Sequence, residues 1–243
     1  IQNINSILRS SSTVMIVAFG MTILITCGEV DLSVGTLFSF VTVIVMDVVN
    51  STHSIFLGFL AVFSFCLLVG FTNGLIRTKL KVNSLIGTLA MMLILQGSVY
   101  LYSMSAIYNN HNIPTFSFFG QGFVGFIPMP AIIMIVLLPF FVFLLNYSKY
   151  GRYYTAAGSN SDASRISGLD IDKLKISGFV ITALLVGVAG IILASLMDTG
   201  QQGSGKGFEL TVIAAVILGG TSFRGGSGTI IGTILGVLVL KVI

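Results

Sequence analysis

Charged residues are scarce in this sequence. Asp, Glu, Lys and Arg together make up 8% of its 243 residues, whereas a soluble domain has about 25%. The hydrophobic fraction is 55%, and the mean hydropathy is +1.03. These values exclude a soluble domain and predict an all-α polytopic membrane protein built as a bundle of several helices. The net charge of +4 does not indicate nucleic-acid binding, and its distribution bears on membrane topology instead.

Cysteine and histidine are also rare. Cys27 and Cys66 lie in apolar runs without CxxC spacing, which predicts small buried residues rather than a disulfide or a metal pair. His53 and His111 lie in separate connections, and no metal-ligand spacing joins them. We therefore expect no metal and no cofactor.

Enzyme motifs are missing as well. Residues 200–206 mimic the start of a phosphate-binding loop, but Gly207 stands where Ser or Thr must hold magnesium. Glu29 and Asp31 are two positions apart and would face different directions on a helix, so they do not resemble a catalytic carboxylate pair. We expect no catalytic residues.

The acids that are present lie in an unusual place. Residues 27–35 read Cys-Gly-Glu-Val-Asp-Leu-Ser-Val-Gly and separate two long apolar runs. An ionised side chain in lipid costs about 2.5–3.5 kcal/mol even on lenient insertion scales. Gly28 and Gly35 loosen the backbone on both sides of the acids. The segment is typical of a turn between two membrane helices, or of a spanning helix that breaks beside a polar cavity.

Seven apolar segments approach the length of about 20 residues that a membrane span needs. They are residues 11–27, 31–49, 54–76, 84–104, 129–147, 176–197 and 229–243. Residues 208–218 are apolar but short. They could form a helix that crosses half of the membrane, or a full span that also includes the flanking residues. No soluble segment separates these runs, so we interpret residues 1–243 as a single transmembrane domain. The chain begins without Met and ends in an apolar run, so we expect both ends to be trimmed from a longer protein.

The basic residues predict the orientation. Three lie in residues 77–81, five in residues 148–175, and Arg224 follows, which places these segments on the cytoplasmic side. Residues 105–128 contain no Lys or Arg and fit the external side. Arg9, Lys206 and Lys241 are the basic residues that remain outside in this topology. If residues 11–27 and 31–49 formed one broken span, Arg9 would be internal, but two spans of normal length are preferred.

Two further segments are candidates for function. Residues 148–175 are longer than a helix connection needs, and Ser159 or Asn160 is placed to cap a short helix that Gly168 ends. Such a helix suits docking to a partner, although the residues alone favour a solvated basic loop that only sets topology. In residues 219–228 five glycines predict a tight turn, and Gly228, Gly232 and Gly236 then place small residues on one helix face, for packing or for lining a pore.

Four polar residues in or beside the spans could contact a polyol, or could instead form hydrogen bonds between neighbouring helices. They are Asn73, Asn83, Thr88 and Gln96.

Three blocks of sequence resemble the membrane permeases of bacterial ABC importers for ribose, related sugars and autoinducer-2. Residues 28–35 resemble the family's Gly-Gly-Ile-Asp-Leu-Ser-Val-Gly, with Glu29 where the family usually has Gly. Residues 151–168 resemble its cytoplasmic loop, and residues 209–233 its C-terminal signature. The order and spacing agree across nearly the whole chain, although the family's first and last spans have no counterpart.

The resemblance implies a type II ABC-importer-like permease in the bacterial inner membrane that moves a sugar or a sugar-like molecule. It implies a second permease chain, identical or related, a periplasmic substrate-binding protein and cytoplasmic ATP-binding subunits. The loop would couple to those ATPases through Gly151, Arg152, Gly158, Ser159, Asn160, Arg165 and Gly168. The family motif would place Asp31, Ser33 and Gly35 near the pathway. The alternative function is a proton- or sodium-coupled secondary transporter that uses Glu29 and Asp31.

Overall fold

The structure, a computed structural model, describes residues 2–110 and 113–242. Six of its helices are long and apolar enough to cross a membrane by length and composition. They are α1 (Gln2–Thr26), α2 (Val34–Thr52), α3 (Ile55–Thr78), α4 (Ser84–Tyr102), α6 (Met129–Val142) with its continuation, the π-helical segment Phe143–Tyr147, and α9 (Ile171–Met197). The prediction of an all-α polytopic membrane protein is confirmed.

The remaining elements are short. The helices are α5 (Pro114–Gln121), α7 (Lys149–Ser159), α8 (Ser161–Ile166), α10 (Phe208–Leu218) and α11 (Ile230–Val242). The strands are β1 (Ile107–Tyr108), β2 (Phe123–Val124), β3 (Ile127–Pro128) and β4 (Thr199–Gly200). Two antiparallel pairs, β1 with β4 and β2 with β3, are formed.

Helix α9 lies at the centre of the bundle and packs against α1, α2 and α3. Glycines bring α3 and α9 close together. A Cβ atom added at Gly70 would lie 2.9 Å from the carbonyl oxygen of Phe179, and one at Gly74 would lie 2.8 Å from the Cα atom of Ile176. Small residues at a helix crossing allow this backbone approach, so α3 is held tightly to the core.

Side-chain caps define several helix starts. Asn83 accepts a hydrogen bond from the Leu85 N–H (2.9 Å), Ser148 from the Gly151 N–H (3.2 Å) and Asn160 from the Ala163 N–H (2.9 Å). Asp170 caps α9 by accepting from the Lys173 N–H at 3.1 Å, and this bond lowers the pKa of that carboxyl below its usual value. Each cap satisfies a backbone donor that the first helical turn leaves without an internal partner.

Several element boundaries differ from the predicted spans, and the largest difference is at α1, which begins at Gln2 rather than at residue 11. Residues 31–33 are not helical, because the Asp31 carboxylate accepts the Ser33 N–H and holds a turn. Helix α9 begins five residues earlier than predicted, at Ile171, directly after its N-cap residue Asp170. The last predicted span is a short apolar helix here, with Ile243 outside the described residues. The structure has two separate helices, α1 and α2, in place of one broken span.

The polar end, as we call it, is the end of the bundle where residues 27–33, 77–83, 148–170 and 219–229 meet. At the opposite end, Arg9 Nη2 donates to the carbonyl oxygen of Gln121 at 2.6 Å. Residues 105–110 and 113–128 therefore lie at the opposite end of the bundle from residues 148–170, which the predicted crossing requires.

The chain from Thr199 to Gly207 turns back along α2. The Gln201 N–H donates to Thr42 Oγ1 at 3.1 Å, and the Gly205 N–H donates to Ser39 Oγ at 2.7 Å. Helix α10 consequently starts part of the way along α2, where the ring of Phe208 stacks on that of Phe38 with centroids 4.3 Å apart. Residues 208–218 thus form a half-length helix.

Candidate functional site

Three segments that are remote in sequence meet by backbone contact at the polar end. The Gly226 N–H donates to the carbonyl oxygen of Thr26 at 2.9 Å. A Cβ atom added at Gly225 would lie 2.9 Å from the Cα atom of Gly28, and one at Gly158 would overlap the Thr26 carbonyl group. Gly28 and Gly225 both have positive φ angles, of 81° and 84°, which favour glycine. Helix α7 is thus fixed to the end of α1 without intervening side chains.

Glu29 is one of two buried acids of the polar end, with 2% of its surface exposed. Its carboxylate accepts from Arg77 Nε at 2.7 and 2.8 Å and from Lys175 Nζ at 2.5 Å. Burying a charge is unfavourable unless it is paired and hydrogen-bonded, and both conditions hold here. The pairing connects the turn after α1 to the end of α3 and the start of α9.

Asp31 forms a second, separate network. Its Oδ1 atom accepts from the Ser33 N–H (2.8 Å) and from Ser33 Oγ (2.6 Å). Asn73 Nδ2 donates to Asp31 Oδ2 at 3.2 Å and to Ser33 Oγ at 3.0 Å. These bonds bring the predicted residues Asp31 and Ser33 together with Asn73. Because Asp31 is 1% exposed, burial raises the pKa of this carboxyl above its ordinary value.

Helix α4 supports the same turn. The Leu32 N–H donates to Thr88 Oγ1 at 3.0 Å, and the Val30 N–H donates to Ser84 Oγ at 3.4 Å. These bonds satisfy backbone donors away from water. The other two polar residues that were candidates for substrate contact do not contact this turn. Asn83 caps α4, and Gln96 is exposed on the surface of α4.

Gly35 lies against the start of α10. A Cβ atom there would lie 2.6 Å from the carbonyl oxygen of Gly205 and would overlap the Glu209 carboxylate. The contacts of Gly205 with α2 were not predicted from the sequence. The available signal was the alternation of glycine with polar residues in positions 200–207, which served only to reject a phosphate-binding loop.

The residues predicted to couple to a partner occupy α7, α8 and the turn after α8. Gly151 is buried where a Cβ atom would overlap the Leu145 carbonyl group, and Gly168 has a φ of 87°. Arg152, Ser159 and Asn160 lie on the surface or beside it, with Asn160 as the cap of α8. Arg165 is exposed and pairs with Asp172 at 2.8 Å.

The tip of α8 carries an apolar side chain that the sequence analysis missed. Ile166 is 89% exposed and follows the exposed Arg165 on a helix of six residues. The preceding helix α7 is held in place by the backbone contacts of Gly151 and Gly158.

The predicted small-residue face joins α10 to α11. A Cβ atom at Gly232 would overlap the carbonyl oxygen of Gly219, and one at Gly236 would overlap that of Ala215. Gly228 precedes α11 and lies against Thr26 and Thr221 instead. Within the described residues, no group of three or more His, Cys, Asp or Glu side chains is placed to hold a metal, and His111 lies outside them.

A family model described as "Branched-chain amino acid transport system / permease component" matches residues 3–243. The ribose import permease protein RbsC of Escherichia coli (strain K12) is 35% identical over 243 residues, which cover 99% of this chain and 76% of that protein. The L-arabinose ABC transporter permease protein AraH of Azospirillum brasilense is 36% identical over 239 residues, covering 98% and 70%. No solved structure matches significantly.

Proposed function

We propose a transport function on the premise that this chain belongs to the permease-component family of branched-chain amino acid transport systems. The chain is the membrane-spanning permease subunit of an ABC importer that moves a sugar or a sugar-like small molecule into the bacterial cytoplasm. One observation carries this conclusion: identity of about 35% extends over 98–99% of the chain to permeases of ribose and L-arabinose import.

One proposed partner follows from what the chain lacks, and the others follow from its similarity to ribose and L-arabinose import permeases. It has no complete phosphate-binding loop, so separate cytoplasmic subunits hydrolyse ATP. A periplasmic substrate-binding protein delivers the sugar at the end of the bundle that carries residues 113–128. A second permease chain, identical or related, completes the pathway in the inner membrane.

The polar end is the proposed cytoplasmic face, and α8 is its coupling element. Ile166 and Arg165 present an apolar and a basic group to the ATPase. Gly158 and Gly168 set the path of the chain on both sides of α8, and the contact of Gly158 with Thr26 connects the element to α1. This arrangement supports a docked helix rather than a loop that only sets topology.

The proposed pathway passes the start of α10. Asp31 and Ser33 hold the turn that begins α2, and Gly35 allows Glu209 to lie against that helix. A half-length helix whose first turn lies inside the bundle is a common device for presenting polar groups at membrane depth.

The alternative of a proton- or sodium-coupled transporter has less support. Glu29 is held by two cations, and Asp31 by Ser33 and Asn73. Both carboxylates are thus already engaged by groups of the chain itself.

Reconstituted vesicles test the proposal. The chain is combined with its ATPase and substrate-binding protein, and uptake of labelled ribose and L-arabinose is measured with ATP and with a non-hydrolysable analogue. We expect uptake of a sugar only with ATP and the binding protein. Uptake that needs neither ATP nor partners, and that an ionophore abolishes, would establish the secondary transporter instead.

A further inference from the structure

The three basic residues assigned to the external side line one cavity. Arg9 lies on α1, Lys206 in the segment before α10, and Lys241 on α11, and all three border a space of about 290 Å³. The external side of a membrane protein has few Lys and Arg residues. The convergence of these three from separate parts of the chain therefore indicates a role for their charge.

The cavity contains no acid to balance this charge. Its polar lining is otherwise Ser10, Thr13, Ser204 and Thr211. In the described part of the chain, no carboxylate lies within 4.0 Å of the three basic side chains. The nearest acid in sequence, Glu209, lies against Gly35 and does not line the cavity.

Arg9 is held in place, but one of its hydrogen-bond donors has no partner. Its Nη2 atom donates to the Gln121 carbonyl oxygen at 2.6 Å, and its guanidinium lies 4.7 Å from the ring centroid of Phe123. Its Nε atom is buried and has no hydrogen-bond partner. A buried donor without a partner is unfavourable, and an acceptor in the cavity would remove that cost.

We propose that this cavity binds a phosphate-type oxyanion. The occupant is either the headgroup phosphate of a phospholipid in the outer leaflet or the phosphate of a soluble sugar phosphate. Two ammonium groups and a planar guanidinium favour such an anion through charge-assisted hydrogen bonds. Phe38, Leu193 and Leu196 form an apolar wall beside the cations that suits the adjoining lipid or sugar.

The first arm of the test measures lipid retention. The purified permease is mixed with phosphatidylglycerol or phosphatidylcholine in detergent, and bound lipid is counted by native mass spectrometry. Charge-assisted hydrogen bonds are worth about tenfold each in affinity. We expect Lys206→Gln with Lys241→Gln to lower phosphatidylglycerol occupancy by at least about tenfold. The matched control is Lys79→Gln with Lys81→Gln, which removes the same charge from exposed sites at the polar end.

The second arm uses ribose 5-phosphate on delipidated protein, with ribose as the control that lacks the phosphate. Calorimetric binding that the Lys206 and Lys241 changes abolish, and that Arg9→Lys weakens, assigns the site to a soluble anion. Loss confined to the first arm assigns it to a lipid. If neither probe binds, or if binding is equal in the double variant and its control, the proposal is wrong. Because both arms measure binding in detergent, their result is independent of whether the chain imports a sugar.

Discussion

Glu29→Gln is the change from which the structure predicts the largest loss of stability at the polar end. Gln keeps the shape of the side chain but removes the charge that Arg77 and Lys175 share. Both cations are mostly buried, at 29% and 12% exposed, so they cannot fully recover their hydration. Removing one partner of a buried ion pair costs about 3–5 kcal/mol, and we expect a loss within that range.

The assay is thermal unfolding of the purified permease in detergent, with unfolded protein detected by a thiol-reactive dye at Cys27 and Cys66, which are buried in the folded chain. Asp172→Asn is the matched control. It also removes one carboxylate, but its partner Arg165 is 61% exposed, and exposed pairs contribute about 0–1 kcal/mol. We therefore expect Glu29→Gln to lower the midpoint much more than Asp172→Asn does.

A second variant shows whether the loss comes from the stranded charge. In Glu29→Gln with Lys175→Met, one unpaired cation is removed along with the acid, and buried pairs replaced by apolar groups are often tolerated. We expect this double variant to be more stable than Glu29→Gln alone. If Glu29→Gln unfolds at the same temperature as Asp172→Asn, the pairing contributes no more than a surface contact, and the reasoning is refuted.

Three further outcomes are expected. Gly232→Leu should lower the yield of folded protein, since the side chain would separate α11 from α10; normal yield and transport would show that this face is not packed. Arg165→Glu should weaken co-purification of the ATPase by a cost of about 2–5 kcal/mol, while Asp172→Asn should not; unchanged association and uptake would leave α8 as a topology anchor. Single cysteines at Asn110 and Ser161, in a background without native cysteines, should label from opposite sides of intact cells, and labelling of both by an impermeant reagent would contradict the topology.

Hydropathy and local chemistry were sufficient to predict most of the helices. The long apolar runs predicted the six long helices. A cap at Ser159 or Asn160 together with Gly168 predicted α8, and Asn160 is the cap in the structure, because both kinds of signal act over short stretches of sequence. The start of α9 was missed because its cap, Asp170, lies inside a segment that reads as a polar loop.

The pairings between distant residues could not be predicted from one sequence. Arg77 and Lys175 were interpreted as topology signals, although both bind Glu29, from 48 and 146 positions away. The same holds for Gly205, which meets Ser39 across 166 positions. Such contacts depend on how the helices are arranged, and local sequence patterns do not predict that arrangement.

The glycine contacts at the polar end have a mechanical consequence. Where side chains separate two segments, a small displacement of one is absorbed as its partner changes rotamer. Gly158, Gly226 and the Thr26 carbonyl group leave no such side chain between α7 and α1, and close-packed backbone is hard to compress. A displacement of α7 caused by a partner would therefore reach the end of α1 directly. The Glu29 pairing would pass that movement on to α3 and α9, so the three helices would move together.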